Sequence, residues 1–259
     1  MKAEKIIIAL SLVLLGATSC KKQTGADGAQ GPQGAQGPVL SGNLKGFVSH
    51  YDLNSAKILS GLSGDTLTID GTTLMATTDA SGAYTFNNIT TGSYNVTVKH
   101  AGFGSTKMQS IQFAGGGDTY RNALISKIPN ANVVALNIAT TATTSINYIV
   151  TTGTITAAPY QQTVLLFFGN PNSNTPSSVT SAYSNSYSVN VPANSTTFSK
   201  TIPTLDFYDA NYISGNIIAV ASYMVGGNVN ASSYADLTNN KTIYTAISSS
   251  PVIASTIIQ

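Results

Sequence analysis

The chain has 259 residues, a formal net charge of +2 and only 8% Asp, Glu, Lys and Arg. Phosphate binding needs clustered Lys and Arg, so this composition argues against a nucleic-acid surface. Glu4 is the sole glutamate and Cys20 the sole cysteine, while Thr, Ser, Asn, Val, Ile and Tyr abound; good helix formers and disulfides are missing, and an all-β fold resting on hydrophobic cores is expected.

The first element in chain order is a leader. Lys2 and Lys5 precede an apolar run from Ile6 to Leu15, and Gly16, Ala17, Thr18 and Ser19 are small residues set just before Cys20. The run is half the roughly 20 residues that a membrane-spanning helix needs, which favours a cleaved signal over a retained helix. These residues resemble a bacterial lipoprotein signal peptide, with Ala17 where the family usually has leucine. The resemblance implies cleavage before Cys20 and diacylation of its thiol, with a further acyl chain on the new amine. At about 0.8 kcal/mol per buried CH₂, two or three chains anchor a protein firmly where one does not. Residues 1–19 are therefore expected to be the signal peptide and Cys20 the lipidation site, on the outer membrane of a Gram-negative bacterium. Lys21 stands where an aspartate would resemble an inner-membrane retention signal. No acidic export run follows Cys20, so the leaflet the protein faces is left open.

Residues 20–41 read as a stalk. Gly25, Gly28, Gly31, Gly34 and Gly37 recur every third residue, resembling a short collagen-like tract; chance alone gives such a register with odds on the order of 10⁻⁴. Five triplets with prolines only at Pro32 and Pro38 make a marginal triple helix. A flexible or PPII-like spacer is expected in preference to a trimerising rod.

From Gly42 onward, short alternating runs are punctuated by Gly, Asn and Asp. Tyr84 and Phe86 share one parity, as do Tyr94, Val96 and Val98, which predicts half-buried strands. Asn87, Asn88, Thr90, Thr91 and Gly92 predict a turn between them, and Asp79 with Gly82 predicts a type I turn. The run Thr78-Asp79-Ala80-Ser81-Gly82-Ala83-Tyr84-Thr85-Phe86, followed by Ile89, by Gly92-Ser93-Tyr94-Asn95-Val96-Thr97-Val98 and by Gly102-Phe103, resembles the carboxypeptidase regulatory-like family, with Gly46-Phe47-Val48 as the opening strand. The resemblance implies a noncatalytic transthyretin-like sandwich over residues 42–128. Ser55 to Thr77 is longer than the family's second-strand region and leaves the strand count there open.

Pro129-Asn130 marks an expected boundary, with a second sandwich over residues 129–259. Val134, Leu136 and Ile138 alternate, as do Ile146, Tyr148 and Val150, then Phe198 and Ile202, then Ile217, Ala219, Ala221 and Tyr223. Val164 to Phe168 is apolar on both faces, which suits a central strand covered on each side. Strand spacing resembles an immunoglobulin-like or fibronectin type III-like sandwich, with Tyr148 as a candidate for the core position that tryptophan usually fills.

The chemistry-bearing residues are few. His50 and His100 each follow a β-run, and only if those ends met would they make a two-histidine metal site. Histidines at strand ends read first as solvated surface residues, so no metal, cofactor or catalytic residue is expected. No metalloprotease, nucleophile-elbow or phosphate-loop motif occurs. Asp206, Asp209 and Asn211 cluster as a candidate ligand loop for calcium or a sugar, though calcium wants more oxygens than three side chains offer. Tyr183 and Tyr187 offer a sugar-stacking platform, but they share parity with Val189 and Val191, which places all four on a buried face. Asp65-Thr66-Leu67 resembles a short periplasmic O-glycosylation signal at Thr66. The function expected is a noncatalytic binding or scaffolding lipoprotein of the cell envelope with an unnamed protein or glycan partner; the alternative is a carbohydrate-binding accessory protein of a glycan uptake system, and an enzyme would first require His50, His100 and an aspartate to cluster.

Overall fold

A computed structural model describes residues 37–259 apart from 143–146, 170–182, 211–214, 228–230, 232 and 259. Cys20 and the glycine triplets before Gly37 lie outside the described residues. Val39–Gln259 forms one compact unit. Its described residues are nearly all β, as the composition requires, and are arranged as packed sheets.

The first nine strands are β1 (Ser41–Tyr51), β2 (Lys57–Ile58), β3 (Thr66–Ile69), β4 (Met75–Thr77), β5 (Ala83–Thr90), β6 (Gly92–Lys99), β7 (Thr106–Phe113), β8 (Asp118–Tyr120) and β9 (Ala123–Ser126). In one sheet β5 and β2 pair antiparallel with β1, and β8 and β9 pair in parallel with it; the other sheet runs β4-β3-β6-β7. Inward-facing residues of both sheets, among them Leu44, Val48, Leu67, Ile69, Tyr84, Phe86, Val96, Val98, Ile111 and Ile125, make a single core. Tyr94 packs against that core partly buried, so the parity of both aromatic strands is the expected one. Ser55 to Thr77 resolves into three short strands, β2, β3 and β4.

Two turns behave differently from each other. Asp79 accepts from the Ser81 and Ala83 amides at 2.8 and 3.0 Å and from the Ser81 hydroxyl at 2.6 Å, while Gly82 N donates to Asp79 O. The expected Asp-to-Gly turn is therefore closed by its own side chain. Asn87 to Gly92, by contrast, is not a turn throughout. Strand β5 continues to Thr90 and the chain reverses at Thr91. The register of β5 on β1 slips between Gly42 and Leu44, Asn88 takes φ 51° and its amide donates to Asn43 Oδ1. Asn tolerates the left-handed region, so the Asn pair makes a bulge inside a strand.

The remaining strands are β10 (Val133–Ala142), β11 (Asn147–Ile155), β12 (Gln162–Gly169), β13 (Asn185–Val191), β14 (Thr197–Pro203), β15 (Ile217–Val225), β16 (Ser233–Asp236), β17 (Lys241–Tyr244) and β18 (Val252–Ile257), with a 3₁₀ helix, η1 (Thr204–Ala210), after β14. A three-stranded sheet β10-β11-β14 and a four-stranded sheet β13-β12-β15-β18 pack as an immunoglobulin or fibronectin III-like sandwich. Between them lie Val133, Ile138, Ile149, Val164, Leu166, Phe168, Phe198, Ile202, Ile218 and Val220.

Strand β12 is buried along its whole length, as its two-faced apolar run predicts. Val164, Leu166 and Phe168 point into the sandwich, while Leu165 and Phe167 point the other way into a second cluster with Tyr183, Ala221, Tyr223, Val225 and Ile247. Tyr244, at the end of the β16–β17 hairpin, packs on that second cluster.

Two parities differ from expectation. In β10, Val133 is buried and Val134 exposed, because a register shift between Val133 and Ala135 resets the alternation before Ile138. In β11, Ile149 and Thr151 face inward instead of Tyr148 and Val150. Tyr148 is therefore not the core aromatic; Phe168 and Phe207, 5.2 Å apart between ring centroids, occupy that interior.

Candidate functional site

At one end of the first sandwich, the two sheets meet through three polar side chains. His50 belongs to β1, where it lies opposite Ile58 of β2 and Ile125 of β9. Asp65 immediately precedes β3, and because Thr66 pairs with Lys99 in antiparallel register, one further step sets Asp65 against His100. One imidazole thus comes from one sheet; the carboxylate and the second imidazole come from the other.

Local sequence fixes each of them. Gly64 takes φ 90°, Asp65 N donates to Thr78 Oγ1 at 2.9 Å, Thr78 N donates back to Asp65 O, and Thr78 Oγ1 donates to Leu62 O. Thr78 thus holds the Asp65 backbone from both sides, with its buried hydroxyl on the amide and its own amide on the carbonyl. His100 starts a tight turn in which Phe103 N donates to His100 O and Gly102 takes φ 79°. The Phe103 ring then lies against both imidazoles, with centroids 4.7 Å from His50 and 5.2 Å from His100.

The geometry is close. His50 Nε2 is 2.9 Å from both Asp65 oxygens, and His100 Nδ1 is 2.7 Å from Oδ1. Relative side-chain exposure is 1% for His50, 0% for Asp65 and 23% for His100. The expectation that His50 is solvated is thereby corrected: the short strands β2 and β9 flank β1 at this end, and the other sheet closes over its inner face. A carboxylate this deep must be matched by donors or by a cation, and the two imidazoles are the groups that face it. Among the described residues, His50, Asp65 and His100 form the group of ionisable side chains whose donor atoms lie within 4.8 Å of one another.

The other candidate residues do not assemble. Asp206 lies exposed in the first turn of η1, its carbonyl accepting from Asn185 Nδ2; Asp209 lies later in the same helix, and Asn211 is outside the described residues. Thr66 is half-buried within β3 between the buried Asp65 and Leu67. Tyr183 is 6% exposed and donates to Thr242 O at 2.6 Å. Parity had placed it with Tyr187, Val189 and Val191, but β13 begins only at Asn185, and Tyr183 joins the outer cluster while the others pack on the sandwich core. The two tyrosines thus sit on opposite sides of β12 and form no common platform.

Residues 59–126 match the family model of the carboxypeptidase regulatory-like domain. All three residues of the His-Asp-His cluster fall within or just before that stretch. No curated protein matches the chain. Among solved structures it is similar to a cohesin–X-dockerin complex from Acetivibrio cellulolyticus, at 18% identity and TM-score 0.29, over 33% of this chain and 57% of that one. It therefore spans little more than half of that polypeptide. It is also similar to a candidate carbohydrate-binding protein from Bacteroides uniformis, at 12% identity and TM-score 0.29, over 85% of this chain and 100% of that one. A DUF3823 family protein from Bacteroides ovatus is similar at 14% identity and TM-score 0.25, over 82% and 97% of the two chains.

Proposed function

We propose that this chain is a membrane-anchored, noncatalytic binding or scaffolding lipoprotein of the bacterial cell envelope. The observation that carries the reading is the setting of Cys20: a basic start, a short apolar run and four small residues lead into the one cysteine of the chain, and a glycine-periodic stalk separates it from the β-sandwiches. Acyl chains on that sulfur supply an anchor, and the match of residues 59–126 to a regulatory-like domain supplies a module suited to binding. The alternative of a glycan-uptake accessory protein relied on Tyr183 and Tyr187 as a stacking surface, and the burial of Tyr183 removes that support.

Fractionation of cells expressing the wild type and Cys20→Ala, with protease added to intact cells, tests the proposal. Wild type is expected with the outer membrane and Cys20→Ala in the soluble fraction. Equal partitioning of the two would refute the anchor, and protease sensitivity of the wild type reports which leaflet it faces.

A further inference from the structure

We propose that His50, Asp65 and His100 bind one zinc-class divalent cation, which ties the two sheets of the first sandwich together. Two imidazole nitrogens and a carboxylate oxygen are a donor set that zinc and its transition-metal neighbours accept. The donor atoms already converge: Nε2 of His50 and Nδ1 of His100 both face Asp65, at 2.9 and 2.7 Å from Oδ1. A tetrahedral ion with bonds of about 2.1 Å sets ligand-to-ligand edges of about 3.4 Å. To admit one, His50 Nε2 and His100 Nδ1 draw back from Oδ1 by about 0.5 and 0.7 Å, and the two nitrogens, within 4.8 Å of each other, settle at the same edge, shifts on the scale of ordinary side-chain motion.

Directionality points the same way. His100 Nδ1 is buried and makes no hydrogen bond among the described residues despite its short approach to Asp65. A nitrogen that is close to a carboxylate yet poorly aimed for a hydrogen bond is explained when both atoms are aimed at a shared third point. Each imidazole can turn a lone pair inward once its ring proton sits on the other nitrogen. The partial exposure of His100 gives a route for the ion and leaves a fourth position for water. Phe103, packed against both rings, tilted to one and edge-on to the other, walls the other side and restricts their rotation.

The placement also answers a need of the chain. With a single cysteine, it has no internal disulfide, and the strands near the site are short: β2 has two residues and β4 has three. A cation held by β1, by the residue before β3 and by the residue after β6 ties one sheet to the other, a link that backbone pairing within each sheet does not make.

The test uses the tag-free full chain in detergent, stripped with EDTA and dialysed against zinc, with bound metal measured by mass spectrometry. One zinc per chain is expected for the wild type, and affinity at least about 100-fold weaker for His100→Ala, more than the 10–100-fold typical of losing an outer-shell partner. His100 is the ligand to remove first because its partial exposure lets the apo fold survive; apo melting temperatures of the two proteins check this. His100→Gln serves if the alanine variant fails to fold, with the same weakening expected. Cobalt gives an independent reading on the wild type: intense visible absorption is expected from a tetrahedral ion held by nitrogen and oxygen. No zinc retained by the wild type at about 1 mM free metal, unchanged affinity in the folded variant, or the weak absorption of six-coordinate cobalt would each overturn the proposal.

Discussion

Replacing Asp65 by leucine isolates the energetics of the buried cluster. The carboxylate is fully buried and His50 is 1% exposed, so deleting Asp65 leaves His50 without its match in an apolar surround. Breaking a buried pair in this way costs about 3–5 kcal/mol, a large share of the 5–15 kcal/mol that holds a typical domain together. His50→Leu should cost less, because His100 Nδ1 still faces the carboxylate at 2.7 Å. The double variant is the informative one, because replacing both partners with apolar side chains removes the desolvation penalty along with the attraction and is often near neutral. Its cost should be less than half the sum of the single costs, even with the overpacking that leucine brings at position 65. Urea unfolding in EDTA, followed by far-UV circular dichroism, measures all four corners of the cycle. Single costs under about 1 kcal/mol that simply add would show that the pair is neither buried nor coupled, and the description of this site would be wrong.

Four further outcomes are expected. Gly46→Ala places a Cβ 1.6 Å from Arg121 O on the neighbouring segment, so β8 and β9 must move off β1; a melting temperature within a degree of wild type would contradict that packing. Partial burial pushes the Asp70 carboxyl up, but the Lys107 ammonium and the Thr97 hydroxyl outweigh it and hold it below its ordinary value. A depressed carboxyl stabilises the fold above its unfolded value of about 3.9 and loses that contribution as pH falls through its folded value; Asp70→Asn should lower the unfolding free energy from urea titration at neutral pH by up to about 1 kcal/mol for this partly exposed pair, and the gap should close in acid. Burial pushes the Tyr84 phenol up to about 12, against an opposing effect of Arg121; its contribution to stability is complete below about 10 and is lost as pH rises through about 12, so an ultraviolet titration of Tyr84→Phe should show one late phenolate fewer than wild type. Cleavage at a protease site inserted near Asn130 should give two soluble fragments, because the buried clusters on either side share no residue; aggregation of both would show that contacts such as Gln109 to Ala235 and Thr245 to Ser105 are essential.

Much of the architecture was legible because period-two patterning needs only the pleat. Tyr84, Phe86, Val96 and Val98 face the core they were expected to face, and the unbroken run in β12 does mark a strand covered twice. The pattern failed where the register slips: a bulge before Ala135 put Val133 in and Val134 out, and the Asn pair at 87 and 88 made a bulge where turn residues suggested a reversal. Tyr183 was misplaced because parity counts only within a strand, and its strand starts two residues later. The His-Asp-His cluster was half legible. Both histidines stood out at strand ends, but Asp65 drew notice only through its neighbours Thr66 and Leu67. Its role depends on the pairing of Thr66 with Lys99 and on how two sheets face each other, which no local pattern encodes.

The most direct test of the proposed anchor is the intact mass of the mature protein purified from membranes, with fragmentation of its amino-terminal peptide. The expected result is a chain beginning at Cys20 and carrying the mass of two or three fatty acyl chains. A free thiol at Cys20, or a mature chain that begins elsewhere, would contradict it.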